Sequence, residues 1–250
     1  ALTKKDWILF GILSVFCYVS FVQGDIFITG NRSWWLWDGP FTDFYERSYE
    51  ITQGYGANYL PSTFILFAVW ILPLKLLGFP VPQSVGESRI LYNMWYKLLP
   101  VLFYLACAYL IYLVAKEIAM WARKAKICMF AFLTLPVAFY SQFIFSQYDS
   151  FTVFFVLLGL YYYFRNAPGD RWHFCLCFGV ATTFKYFSAL IFFALLLLDE
   201  KNVLRIIKNA IFMILPLLLE VAIFCESRSL HQRVSGFNAP GYTSQGELST

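Results

Sequence analysis

The chain of 250 residues is 60% hydrophobic and only 14% charged, with a net charge of +4. Soluble domains run at roughly 45–50% apolar and about 25% charged residues, so water is the wrong solvent for this composition. The apolar excess falls in long uninterrupted runs, which excludes disorder and a disulfide-stapled scaffold and points to an all-α polytopic membrane protein.

A membrane-crossing helix needs about 20 apolar residues. The first such run, 7–23, follows Lys4, Lys5 and Asp6 and has no small-residue cleavage site, so it reads as a retained anchor with a cytoplasmic N-terminus. The following loop then lies outside. It carries Asp25, Asp38, Asp43, Glu46 and Glu50 against Arg32 and Arg47, and it is rich in aromatic residues, including Trp34, Trp35 and Trp37. Those tryptophans read as an interfacial belt. Within the loop, Thr42 to Ile51 reads as an amphipathic helix capped by Thr42 or Asp43, with Glu46 placed for a capping box.

The next run, 61–79, contains Pro61, Pro73 and Lys75. If it crossed, the helix 91–115 would deliver Lys116, Arg123, Lys124 and Lys126 to the outside, against the usual cytoplasmic bias of such clusters. An interfacial or re-entrant segment is therefore expected, making 24–90 one long first extracytoplasmic loop. Then 91–115 runs inward, 127–147 outward and 150–164 inward. A single crossing at 172–198 would export Lys201, Arg205 and Lys208, so two short legs meeting near Lys185 are expected, with one long kinked helix as the alternative. The run 209–225 exits, leaving 226–250 outside. The expectation is one transmembrane domain over 1–250 with about seven crossings.

Several polar residues need an account in such a chain. Ser146-Gln147-Tyr148-Asp149-Ser150 sits at the outer junction of two apolar runs. It is either a hydrogen-bonded turn or a wet functional path. Lys185 either snorkels to the interface or meets an anion there. Glu220 is expected to pair with a neighbouring cation. Arg228, His231 and Arg233 form a basic cluster suited to lipid headgroups or to a phosphate. The six cysteines read as small apolar residues. Asn31-Arg32-Ser33 matches the N-glycosylation pattern, which also arises by chance. Asp43 and Asp149 fall on the same side of the membrane in this topology.

Taken together, these residues resemble the GT-C superfamily of integral-membrane glycosyltransferases that use polyprenyl- or dolichyl-phosphate sugars. The resemblance is carried by Thr42-Asp43-Phe44 in the first outer loop, by Asn58-Tyr59-Leu60-Pro61 where such enzymes often have Tyr-Pro-Pro, by Gln147-Tyr148-Asp149, and by Lys185 in Ala181-Thr182-Thr183-Phe184-Lys185. It implies a GT-C-like helix bundle, whose complete members usually continue for several more helices, so that the chain matches a fragment of such an enzyme, a truncated form or the shared N-terminal module. It also implies inverting transfer of a sugar from a lipid-phosphate carrier to a glycan or lipid-linked acceptor at the extracytoplasmic face.

On that resemblance Asp43 is the general base, Asp149 orients the acceptor or holds a cation, and Gln147 and Tyr59 contact sugar. Lys185, Arg228 and Arg233 neutralise the departing lipid phosphate, with His231 as a donor. No obligatory metal is expected, a divalent cation such as Mg or Mn being the alternative. No nucleic-acid partner is expected. A bacterial plasma membrane is preferred over the endoplasmic reticulum. The competing readings are a transporter or flippase, which would favour acids near the membrane midplane, and a non-catalytic membrane scaffold.

Overall fold

The computed structural model describes residues 2–52, 56–82 and 88–224. Among them are eleven α-helices and no strands. In chain order these are α1 (Lys4–Ser20), α2 (Gly24–Arg32), α3 (Phe44–Ile51), α4 (Pro61–Leu76), α5 (Ser88–Glu117), α6 (Ala122–Thr134), α7 (Pro136–Phe139), α8 (Ser150–Arg165), α9 (Asp170–Phe184), α10 (Phe187–Asp199) and α11 (Val203–Ile223). Only α5 and α11 are single helices long and apolar enough to cross a membrane. Two bent pairs, α1 with 24–37 at 71° and α6 with 136–144 at 53°, bring the number to four. The other apolar helices, α4, α8 and α10, have 10–17 residues. The described residues are all-α, with two to four helices or bent pairs long and apolar enough to cross a membrane, and about seven crossings is a finer count than these lengths establish.

The breaks between helices have chemical causes. The run 127–147, expected as one span, bends because Pro136 has no N–H and its ring displaces the carbonyl one turn earlier. Leu135 before it is extended (φ −59, ψ 120), as a residue preceding proline prefers. The hydroxyl of Tyr104 on α5 donates to the freed carbonyls of Phe132 and Leu133 at 3.2 and 2.8 Å. A π-turn follows at Tyr140–Ile144. The run 172–198 breaks at Lys185 (φ −149, ψ 128), a break common to the two-leg reading and to the kinked-helix alternative. There Ser188 donates its hydroxyl to the Lys185 carbonyl at 2.9 Å.

Lys97 on α5 bolts two of these ends together. It is 1% exposed, and its Nζ donates to the carbonyls of Tyr18 and Phe21 at 2.8 and 2.6 Å and of Phe143 at 3.3 Å. Those carbonyls belong to the last turn of α1, the residue after it, and the π-turn. Each is an acceptor that a broken helix would otherwise leave bare in a buried interior. A cation is well placed there, because helix C-termini carry partial negative charge.

Residues 24–52, expected as an outer loop, are mostly helical and well packed. Trp34 is 2% exposed rather than part of an interfacial belt, and its Nε1 donates to the Tyr96 hydroxyl at 2.8 Å. Gly30 is required beside it, since a Cβ there would lie 2.5 Å from the Tyr96 ring. Ser33 is fully buried and donates to the Thr29 carbonyl at 2.9 Å, while Asn31 and Arg32 before it are half-buried. The helix expected at 42–51 is present, but Asp43 at its N-cap makes no side-chain capping bond.

The helix α4 packs against α2, the 3-10 turn Ser33–Trp37, and the first turns of α5. Phe67 meets the rings of Tyr96 and Tyr148. Trp70 stacks on Trp95 at 5.0 Å, and each indole N–H bonds the other's carbonyl. Lys75 at its far end pairs with Asp38 at 2.8 Å.

Replacing Lys97 with Met should destabilise the fold by about 3 kcal/mol or more, because three buried carbonyls lose their only charged donor. Thermal unfolding in detergent measures this. A shift worth less than about 1 kcal/mol would mean that the carbonyls find other partners.

Candidate functional site

Four helix junctions, far apart in sequence, meet at one end of the bundle. Asp25 comes from the first turn of α2, Tyr59 from the segment leading into α4, Tyr148 and Asp149 from the turn before α8, and Lys185 from the break between α9 and α10. Oδ2 of Asp25 accepts from the hydroxyls of Tyr59 and Tyr148, both at 3.4 Å. The Tyr148 hydroxyl also lies 3.1 Å from Thr29 Oγ1. The two phenol rings meet edge to face at 5.1 Å. Lys185 Nζ stands 5.8 Å from the Tyr59 ring centre and 3.1 Å from Asp149 Oδ1.

Burial is graded across this cluster. Thr29 and Tyr148 are in the core at 1% and 4% exposure. The side chains of Lys185 and Asp149 are 39% and 50% exposed, so the charged end opens outward. Oδ1 of Asp149 is covered and forms no hydrogen bond of good geometry, its contact with Lys185 being ionic. Burial raises the pKa of the Tyr59 phenol, and the nearby carboxylates of Asp25 and Asp149 act in the same direction against its bond with Tyr148 and the Lys185 charge. Burial likewise raises the pKa of Tyr148. Both phenols are therefore neutral hydroxyl donors at physiological pH.

The turn that carries Asp149 is held by its own backbone. Ser146 adopts a left-handed conformation (φ 57). The Gln147 amide donates to the Ser141 carbonyl at 2.9 Å, and the Gln147 carbonyl accepts from Gln142 Nε2 at 3.3 Å. Deeper in, the Ser150 hydroxyl donates to the Pro100 carbonyl at 3.1 Å and fixes the start of α8 against α5.

Of the residues singled out in the sequence, Tyr59, Asp149 and Lys185 come together, with Gln147 on the same turn. Lys185 meets an anion, the second of its two readings. Asp43 is exposed, accepts from the Thr42 hydroxyl at 3.1 Å, and makes none of the contacts that define the cluster. Its helix is tied to the site nonetheless, because the Tyr45 hydroxyl donates to the Tyr59 carbonyl at 2.7 Å. Arg228, His231 and Arg233 lie outside the described residues, as does the segment 226–250. The cation partner expected for Glu220 is not found among the described residues. Among those residues, no three His, Cys, Asp or Glu side chains gather where they could hold a metal ion.

The sequence names Asp25 only as one of five loop acids and does not single out Thr29. Asp25 had one usable mark: it is the first acid after the apolar run 7–23. No known protein family, curated protein or solved structure matches this chain.

Because Lys185 and Asp149 are both more than a third exposed, their ion pair contributes only ~0–1 kcal/mol to stability. Lys185→Gln should therefore leave the unfolding temperature of the detergent-solubilised protein nearly unchanged. A loss above about 2 kcal/mol would mark the pair as structural rather than as part of an open site.

Proposed function

We propose that this chain is a GT-C-like membrane glycosyltransferase, or its N-terminal module. It would transfer a sugar from a polyprenyl-phosphate carrier to a glycan or lipid-linked acceptor at the extracytoplasmic face. The observation that carries this reading is the convergence of Asp25, Tyr59, Asp149 and Lys185 from four helix junctions, with the charged groups open to the exterior. A lysine paired with one carboxylate, and a second carboxylate joined to it through Tyr59, offer the charges the reaction needs. The acceptor oxygen attacks the anomeric carbon and gives its proton to a carboxylate. The bond to the lipid phosphate breaks, and the phosphate leaves with the electron pair. Lys185 would hold that phosphate, with Arg228, Arg233 and His231 as further candidates for its charge. Tyr59 and Gln147 would donate hydrogen bonds to sugar, and the aromatic rings beside them offer apolar faces for its ring.

The resemblance gives the base to Asp43, whereas the geometry supports Asp25, which shares the cluster with both phenols. Asp149 is placed to orient Lys185 or the acceptor. The partners of α4 are α2, the tryptophan turn, the first turns of α5, the end of α9 and Phe151 of α8, and α2 with the tryptophan turn supplies most of them.

Purified protein in nanodiscs, given undecaprenyl-phosphoryl glucose, mannose or arabinose with a short glycan acceptor, should release undecaprenyl phosphate with at least one donor. Asp25→Asn should cut that turnover by about 10²-fold or more, while Asp43→Asn should have the smaller effect. If Asp43→Asn abolishes turnover and Asp25→Asn does not, the base returns to Asp43. If turnover survives replacement of both acids together with Asp149→Asn, the glycosyltransferase reading fails.

A further inference from the structure

Three neighbouring helices are too short for an ordinary bilayer and carry charge at both ends. α8, α9 and α10 have 16, 15 and 13 residues, which is about 24, 22 and 20 Å at ~1.5 Å per residue. A hydrocarbon core is ~30 Å thick, and tilting a helix only shortens its reach. In the same molecule α5 has 30 residues and is about 45 Å long, enough to pass through the whole core.

Ion pairs hold the ends of the three short helices level. Arg171 at the start of α9 pairs with Asp199 at the end of α10 at 2.6 Å. Between those ends the Phe192 ring lies 5.0 and 5.8 Å from the rings of Phe174 and Phe178. The run 172–198 is therefore folded back on itself as an antiparallel hairpin with Lys185 at its tip. Arg165 at the end of α8 donates to Asp170 at the start of α9 at 2.8 Å. At the opposite end Asp149, just before α8, meets Lys185 at 3.1 Å. Charged groups thus stand at both ends of the same three helices, separated by one short helix length.

The outer face of α10 is the side that lipid would meet. Its exposed side chains run from Phe187 through Leu190, Phe193 and Leu197 to Leu198, with Leu190 75% and Leu198 73% exposed. Lys185 and Tyr186 bound this band at one end, and Asp199, Glu200 and Lys201 bound it at the other. From Phe187 to Leu198 the band is about 17 Å tall at ~1.5 Å per residue. A charge held in hydrocarbon is costly, whereas compressing lipid costs little per ångström.

We infer that the bilayer is locally thinned where it meets α8, α9 and α10, by about 6–10 Å relative to a ~30 Å core. The partner of this face is a shell of compressed or short-chain lipid, while α5 spans the ordinary thickness. The depression brings lipid headgroups level with the Asp149–Lys185 end of the hairpin. It goes beyond the glycosyltransferase reading and does not depend on it.

Nitroxide labels on single cysteines of the full chain, in vesicles of dioleoyl phosphatidylcholine, test this by their collisions with oxygen and with a water-soluble nickel chelate. Leu190→Cys and Phe193→Cys report on the middle of α10, and Leu102→Cys and Leu105→Cys on exposed positions near the middle of α5. The α10 labels should lie at about half the depth of the α5 labels, since the centre of a ~17 Å band is ~8 Å from its edges and that of a ~30 Å core ~15 Å. Equal depths would overturn the inference. Labels on α10 shielded from both collision partners would also overturn it, because protein rather than lipid would then cover the face. A second arm needs no substitution: the unfolding temperature of the unmutated chain is measured in phosphatidylcholine bilayers with chains of ~14 to ~22 carbons. It should be highest in the shortest chains and fall as they lengthen. No dependence on chain length, or a maximum at ~18 carbons or more, would overturn the inference. Neither arm reads turnover, so failure of the proposed activity and failure of this inference are told apart.

Discussion

A helix that breaks inside or beside a membrane must find partners for the amides and carbonyls it frees, because the hydrocarbon offers none. That constraint organises this molecule. Lys97 takes the carbonyls at the end of α1 and in the π-turn, Tyr104 takes those freed by Pro136, and Ser188 takes the carbonyl of Lys185. Each break is thereby made permanent at small cost, and each leaves a short non-helical stretch that can carry a polar side chain. Asp25, Asp149 and Lys185 all sit on such stretches or within one turn of one. The candidate site is assembled from the places where helices stop.

The same constraint explains why the surroundings of the site are aromatic. Tyrosine and tryptophan fill space in an apolar core and still offer a hydrogen-bonding tip. Trp34 with Tyr96, Trp70 with Trp95, and Tyr148 with Thr29 each bury rings while satisfying a donor. This packing holds α2 and α4 together as a layer over the bundle, with Gly30 admitting the Tyr96 ring. Asp25 on α2 accepts from Tyr59 and Tyr148, and Tyr148 is followed by Asp149, which pairs with Lys185.

Much of this was legible in the sequence, and what was not has identifiable reasons. The all-α class and the long apolar helices follow from composition, and the cations beyond Lys185 drew attention to the place where the run 172–198 breaks. The meeting of Lys185 with an anion was one of two open readings, charge alone could not choose between snorkelling and pairing, and Asp149 was not named as that anion. The burial of Trp34 was misread because an interfacial and a core tryptophan look alike without a partner, and Tyr96 is 62 residues away. The bend at Pro136 lay in plain view, but proline is tolerated in membrane helices often enough to hide it. Asp25 was one acid among five, and only the approach of Tyr59 and Tyr148 distinguishes it from Asp43. Lys97 drew no reading from the sequence, because its three acceptors are backbone carbonyls and have no signature there.

Single cysteines at positions 25, 149 and 185 of an otherwise cysteine-free chain, with position 124 as the opposite-face reference, put the convergence itself to the proof in sealed, oriented vesicles. A membrane-impermeant maleimide applied to the extracytoplasmic face should label the first three and spare the fourth. If any one of positions 25, 149 and 185 reacted only from the face that exposes position 124, the residues could not share a pocket.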